Sequence, residues 1–428
     1  MEGDKSGPFD SVNIPKHMQK YAQLLEYLKK LSLDNMDDTL GALRHSFFHE
    51  DYDEVAAILV YTSTAPLYDS VMAEILTYKL CIEWNHFNYA VLRVFASMES
   101  ILPYTKYIRS LFQRGMWTFS KIQESLQDVN GYELVFAKEI VENCPQDDKF
   151  DKLTREYRKN DWKLYNEIIE CGFPLNELGY AIKNDNLPLL QELASKEDFD
   201  YDQKILQEHF GSHERTLIST AAYYGSINCF KFLLVNKAKI DSSTAECAIM
   251  HGNLEIIKLS IEQLKDHSCL LPAAVLAHRD DLFVWISENF SDTKQASLYD
   301  CVRSLNYKAL LYYIEKQSMS KDYQPSLCVA AQMGIVSMCR VLIENGADTK
   351  ATMGLKDTAL HLATRCQHFY VVSFLCSHGA DSNLRNEIGK TPYDIADDVK
   401  NENIRQFLSY NGGKPARLVE KMNNNNTK

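Results

Sequence analysis

Glycine and proline are scarce, at 17 and 11 of 428 residues. No Gly-rich loop of the P-loop or dinucleotide type can be traced, and neither Gly-x-Ser-x-Gly nor His-Glu-x-x-His occurs. Without these the chain offers no nucleotide cradle, nucleophile elbow or paired-histidine metal site, so the expectation is no enzyme, no cofactor and no metal. Long apolar runs are missing too. A bilayer needs ~20 such residues, whereas the longest charge-free run, Val55 to Tyr68, is short and contains Pro66. No membrane insertion is expected. Met1 to Pro8 lacks the apolar core of a secretory signal. The 11 cysteines have no framework spacing. Scattered and odd in number, they read as reduced thiols and point to the cytoplasm, with the nucleus equally compatible. Basic charge is in deficit, 46 residues against 58 acidic for a net −12, which argues against nucleic acid as a partner, since phosphate binding draws on clustered cations.

What is present is a period. Gly346-Ala347-Asp348 returns as Gly379-Ala380-Asp381, Thr358 as Thr391 and Ala363 as Ala396, each 33 residues later. A fixed period of this size marks a stacked array. The chemistry of one unit is readable. Thr358 or Thr391 caps a helix by accepting from an orphan backbone N–H, and Pro392 suits the first helical position. Ala363 and Ala396 are small enough for a second helix to approach. That helix spans about Phe369 to Ser377, with Val371, Val372 and Leu375 on one stripe. Gly346 and Gly379 stop such helices in the left-handed conformation.

These residues resemble the ankyrin repeat, whose consensus contains Thr-Pro-Leu-His-x-Ala and a closing Gly-Ala-Asp. Thr358-Ala359-Leu360-His361-Leu362-Ala363 departs from the first only by Ala for Pro. The resemblance implies protein–protein binding through a concave groove and finger tips, and a role for His361 in tying neighbouring units by hydrogen bonds.

Upstream, a small anchor followed at +6, +8 and +9 by apolar residues recurs at Ala181, Ala221, Ala248, Cys301 and Ala330, ahead of Ala363 and Ala396, with a weaker unit around Leu276. The register near 265–295 is the least regular. The gap from Ala181 to Ala221 holds an acidic insertion, Ser195 to Glu214, expected to project with a short helix of its own. Residues 15–147 carry no 33-residue echo and read as five to seven helices. They resemble the helical domain preceding divergent ankyrin arrays in large protist families, which implies no known activity. The expected fold is therefore all-α: a disordered leader (1–14), a helical domain (15–147), an ankyrin-like solenoid (148–411) and a disordered tail (412–428) ending in an Asn run.

Candidate contacts follow from position. Tyr223, Tyr224, Met250, Met333 and Arg365 fall just after the small anchors, where an ankyrin array faces its groove, and Tyr, Met and Arg are favoured at interfaces. Met353, Leu355, Lys356, Arg385, Asn386 and Lys390 fall at the tips of the two fullest fingers. Apolar residues beside cations there suit an acidic or amphipathic segment of an unidentified protein partner, with Arg365 and Arg385 supplying charge-assisted contacts. Cys366-Gln367-His368 and Cys376-Ser377-His378 hint at zinc, but lack finger-like spacing, and Cys376 falls where a small apolar residue is needed. Asn289-Phe290-Ser291 and Asn425-Asn426-Thr427 fit the glycosylation pattern, which has no force without a secretory signal. The chain is expected to be monomeric. The alternative is an adaptor whose helical domain recruits a regulatory or ubiquitin-pathway machine while the array holds a client. A third class is an enzyme with a site between the domains.

Overall fold

The computed structural model describes residues 9, 12–64, 68–143, 154–155, 157–175, 177–206, 214–316 and 323–419. Most of the leader, the start of the array at Asp148, the Ala65-Pro66 break and the Asn-rich end lie outside these. The regular structure of the described residues is helical, with strand confined to two hairpins. The all-α reading holds.

Backbone contacts divide the chain into two compact units that do not follow its order. One comprises residues 1–62, 75–98 and 296–428; the other comprises 63–74 and 99–295. Each combines part of the helical region with four two-helix repeats.

The second unit contains the pairs Leu178–Lys183 with Leu187–Ala194, Leu217–Tyr224 with Ile227–Val235, Ser242–His251 with Leu254–Ile261, and Leu270–Leu276 with Asp280–Asn289. The first contains Leu298–Arg303 with Tyr307–Glu315, Tyr323–Met333 with Val336–Glu344, Ala359–Arg365 with Phe369–Ser377, and Pro392–Asp398 with Glu402–Tyr410. The anchors Ala181, Ala221, Ala248, Cys301, Ala330, Ala363 and Ala396 are all fully buried.

One rule fixes the register of every repeat. Four residues past the anchor the backbone turns left-handed, at Asp185, Gly225, Gly252, His278, Leu305, Gly334, Gln367 and Lys400. The residue after it usually returns a hydrogen bond to the anchor carbonyl, as Ser226 N does to Ala221 O and His368 N to Ala363 O. Arg279 N bonds Ala274 O at 2.9 Å, so the anchor near 275 is Ala274. The expected Leu276 would put the left-handed residue at Asp280, which instead opens a helix. Apolar spacing misled there because Ala273, Ala274 and Val275 are all buried. Glycine is needed at this turn mainly where the next repeat crowds it. A Cβ at Gly225 would lie 1.9 Å from His251 Nε2, and one at Gly334 would lie 2.8 Å from the His368 ring.

The region read as five to seven helices holds nine among the described residues: Lys16–Lys29, Met36–Ser46, Tyr52–Thr62, Ser70–Glu83, Phe87–Ala96, Thr105–Gln113, Phe119–Leu126, Tyr132–Val135 and Ala137–Asn143. The excess comes from short helices cut by local signals, such as the Thr118 cap, which accepts from Lys121 N, and left-handed Gly131. The acidic insertion is a hairpin rather than a helix, with β1 (Lys204–Leu206) antiparallel to β2 (Glu214–Thr216). Its tip lies outside the described residues. A second, shorter hairpin pairs β3 (Thr352–Met353) with β4 (Asp357–Thr358).

The tail expected to be disordered from Gly412 is ordered through Val419 and folds back on the last repeat. Asn383 Oδ1 accepts from Lys414 N at 3.0 Å, Asp394 Oδ2 accepts from Ala416 N at 3.0 Å, and Thr391 Oγ1 donates to Lys414 O. Composition marked these residues as a polar linker, but their backbone groups answer the polar caps of the final helix pair.

Candidate functional site

The finger edge of the first unit is built from the two fullest repeats. Pairing of Met353 with Asp357 leaves Gly354, Leu355 and Lys356 as the turn, with Lys356 in the left-handed region. The next finger closes through Asn386 N to Lys390 O at 3.0 Å and Gly389 N to Asn386 O at 2.9 Å. Glu387 N donates to Leu355 O at 2.8 Å, so the two tips are joined. Leu355 and Ile388 stand on them 59% and 63% exposed. Ile388 was not singled out from sequence, although the logic that picked Leu355, an apolar residue where only a turn is needed, applies to it equally.

Beneath the tips a polar network holds the fingers. Asp357 is buried and receives Arg365 Nη2 at 2.8 Å and Asn386 Nδ2 at 2.9 Å. Asn386, itself buried, also accepts from Lys390 N through Oδ1. Arg385 Nε donates to Gly389 O, and Lys390 forms an ion pair with Asp398. Asn386 is thus placed under the surface. Arg365, though 42% exposed at its side chain, is committed to Asp357, so its removal is not neutral for stability. Met353 is half-buried on β3. Thr364, beside Arg365, is buried and bonds back to Leu360 O.

His361 sits where consensus puts it, fully buried. Its Nδ1 accepts from Thr358 N at 3.2 Å, and its Nε2 donates to Lys390 O of the following repeat at 3.2 Å. Burial lowers its pKa, which keeps the neutral tautomer that these two bonds require.

The opposite edge is where each first helix turns into its second. In the first unit the chain's own helices occupy it. Helix Lys16–Lys29 packs on Tyr307–Glu315 and Val336–Glu344. Tyr21 stacks on Tyr307 with ring centroids 6.2 Å apart, and Phe9 meets Tyr312 edge-on at 5.2 Å. Glu54, 2% exposed, accepts from Tyr307 OH at 2.8 Å, from Ser337 N at 3.1 Å and from Ser337 Oγ. Asp53 pairs with Arg93, and its Oδ2 lies 3.5 Å from His368 Nδ1. His49 Nδ1 meets Tyr370 OH at 3.0 Å, and Gln332 donates to Ser97 O. Met333, expected in a groove, is 4% exposed. In sequence Asp53 and Glu54 look like a solvated helix start; nothing local announces partners more than 250 residues away.

In the second unit the same edge carries Tyr223 and Tyr224 at the end of Leu217–Tyr224, both half-buried. Arg215 lies 4.1 Å over the Tyr223 ring and Lys183 5.2 Å over that of Tyr224. Tyr223, Tyr224 and Lys183, with His251, Tyr104 and Lys106, line a cavity of about 450 Å³. Met250, half-buried, precedes His251 on Ser242–His251.

The two Cys-x-His pairs are spent on packing. Burial pushes the Cys366 thiol up to about 12. His368 Nε2 lies 3.0 Å from Gln332 O, and His378 Nδ1 2.8 Å from Phe374 O. Among the described residues no group of three His, Cys, Asp or Glu could hold a metal ion, and no helix is long and apolar enough to cross a membrane.

Comparison with known proteins agrees with this architecture. The family described as "Ankyrin repeats (3 copies)" matches residues 296–386 and 327–417, and a domain of unknown function, DUF3447, matches 235–313. Alpha-latrotoxin-Lh1a of Latrodectus hasselti is 42% identical over 59 residues, which is 14% of this chain and 4% of the toxin. E3 ubiquitin-protein ligase Ufd4 of Drosophila melanogaster is 31% identical over 124 residues, 28% of this chain and 4% of the ligase. Ankyrin repeat and SOCS box protein 11 of Mus musculus is 38% identical over 90 residues, 21% of this chain and 27% of that protein. The chain thus spans only a small part of the relatives it matches. Among solved structures, the human ASB11 ankyrin repeat domain aligns at TM-score 0.30 and 19% identity, covering 56% of this chain and 98% of that one. With the period, the His361 tie and the anchor-to-turn rule in place, the chain is an ankyrin-repeat protein.

Proposed function

We propose that this protein binds a protein partner, without catalysis, at the paired finger tips of its C-terminal repeats. The supporting observation is the exposure of Leu355 and Ile388 on two tips joined by the bond from Glu387 N to Leu355 O. Apolar side chains held outward on a rigid support are what an interface core requires. Lys350, Lys356 and Arg385 are exposed around them on a chain of net charge −12. The partner segment is therefore amphipathic and acidic. Binding by a monomer in the cytosol or nucleus is the setting in which this reading applies.

Proximity labelling in the native cell recovers the partners, and the variant Leu355→Asp with Ile388→Asp tests the surface. Affinity for a recovered partner should fall at least ~10-fold while helicity is unchanged. Wild-type affinity would place the interface elsewhere. The adaptor reading gains support from the names of two relatives, the Ufd4 ligase and the SOCS box protein. It requires a second protein held by the helical region, whose recovery would survive the finger-tip substitutions.

A further inference from the structure

The contact between Glu54 and the repeats has a composition that packing alone does not require. A carboxyl group is buried where two successive repeats turn, and every donor it meets comes from those repeats: Tyr307 OH from one, Ser337 N and Oγ from the next. Hydroxyl groups at two of the three positions can accept as well as donate. The site can therefore satisfy either protonation state of Glu54, but only the ionised form carries the cost of a buried charge. Among the described residues no cation is bonded to it; Arg93, on a neighbouring helix, is paired with Asp53.

We propose that Glu54 is a protonation-controlled latch that holds helix Tyr52–Thr62 on the turns of the Cys301 and Ala330 repeats. This concerns the chain's hold on its own repeats and does not depend on where a partner docks.

The surroundings favour the proton. Burial, opposed by the three hydrogen bonds and aided by the Asp51 carboxyl, pushes the Glu54 pKa up to about 7 from 4.5. The other groups facing it do not titrate between those values. Tyr21 on Lys16–Lys29, Tyr307, and Cys339 on Val336–Glu344 are all held above their ordinary values by burial. On its own helix Asp53 is buried too, but the Arg93 charge and the His368 hydrogen bond outweigh that and hold it at about 2, ionised throughout. Asp51 is bonded to Tyr21 OH and Lys20. His17 on Lys16–Lys29, beside Ser337, is held below its ordinary value by burial, and its contribution is separated from that of Glu54 by experiment. Because folded Glu54 keeps its proton to about pH 7 and the unfolded group only to 4.5, the hold is full at low pH. It weakens as pH rises from 4.5 to 7 and is level above, by about 300-fold in all.

Hydrogen exchange of the full chain reads this directly. Protection factors, corrected for intrinsic exchange, are measured in helices Tyr52–Thr62, Tyr307–Glu315 and Val336–Glu344 from pH 5 to 8. Wild-type protection should fall by up to about 70-fold over that range. Glu54→Gln, which mimics the protonated state, should be flat, whereas a slope that came from a neighbouring histidine such as His17 would persist in it. Tyr307→Phe removes a donor to the charged form and should move the transition to higher pH. Flat wild-type protection, an undiminished slope in Glu54→Gln, or an unmoved midpoint in Tyr307→Phe would each overturn the latch. The Tyr307→Phe measurement decides alone if Glu54→Gln does not fold.

Discussion

The bond between Asp357 and Asn386 is the most sharply testable element of the finger edge. It joins a buried carboxylate on β4 to the finger of the following repeat across 2.9 Å. A hydrogen bond to a charged group contributes about 1.5–3 kcal/mol, and a neutral one about 1. Asn386→Ala removes the donor to Asp357 and also the acceptor for Lys390 N, so its expected cost is about 3 kcal/mol. Asp357→Ala removes the charge that needs the donor and leaves Arg365, 42% exposed, to water. The double variant should then cost less than the sum of the singles by about 1.5–3 kcal/mol. The array unfolds piecewise, so the assay must be local: hydrogen exchange in helices Ala359–Arg365 and Pro392–Asp398, compared with Leu217–Tyr224 as an internal control. The two C-terminal helices should loosen and the control should not. A coupling below about 0.5 kcal/mol, the scatter of independent sites, would mean that the fingers are held by packing and that Asp357 is incidental.

Two further outcomes follow from the repeat geometry. Ala363 is fully buried between two helices, so Ala363→Leu should overpack it by about 1–3 kcal/mol and loosen the C-terminal repeats first; exchange that loosens uniformly along the chain would contradict local coupling. Lys400 is exposed and left-handed at φ 53°, a conformation costing non-glycine residues about 1–2 kcal/mol. Lys400→Gly should therefore stabilise the last repeat by up to about 1 kcal/mol after the entropy of the unfolded chain is counted, and any loss of protection in Glu402–Tyr410 would refute it.

Much of the fold could be read from residues that act locally. Thr358 and Thr391 cap helices through their own hydroxyls, Ala363 and Ala396 mark close approach, and His361 reaches a carbonyl one repeat away. Such signals repeat, so they can be traced even where glycine is lost from the turn. Legibility failed where the decisive contact is distant or where neighbours are interchangeable. Three adjacent buried residues hid the anchor at Ala274. Arg365 and Asn386 were read as surface because the carboxylate that claims them, Asp357, carries no mark of its burial. Asp53 and Glu54 have the composition of an exposed helix start, yet each meets a repeat side chain more than 250 residues further along.

The separation of Glu54 from Tyr307 and Ser337, 253 and 283 residues, sets an order of assembly during synthesis. The helices of residues 16–62 leave the ribosome well before the repeats that Glu54 meets. At about 5–20 residues per second the interval is roughly 13–55 s. Throughout it Tyr21 and Glu54 lack the repeat side chains that meet them in the finished unit. A stop codon anywhere before residue 296 removes both partners of Glu54 for good and leaves its carboxyl without the donors that meet it in the finished unit.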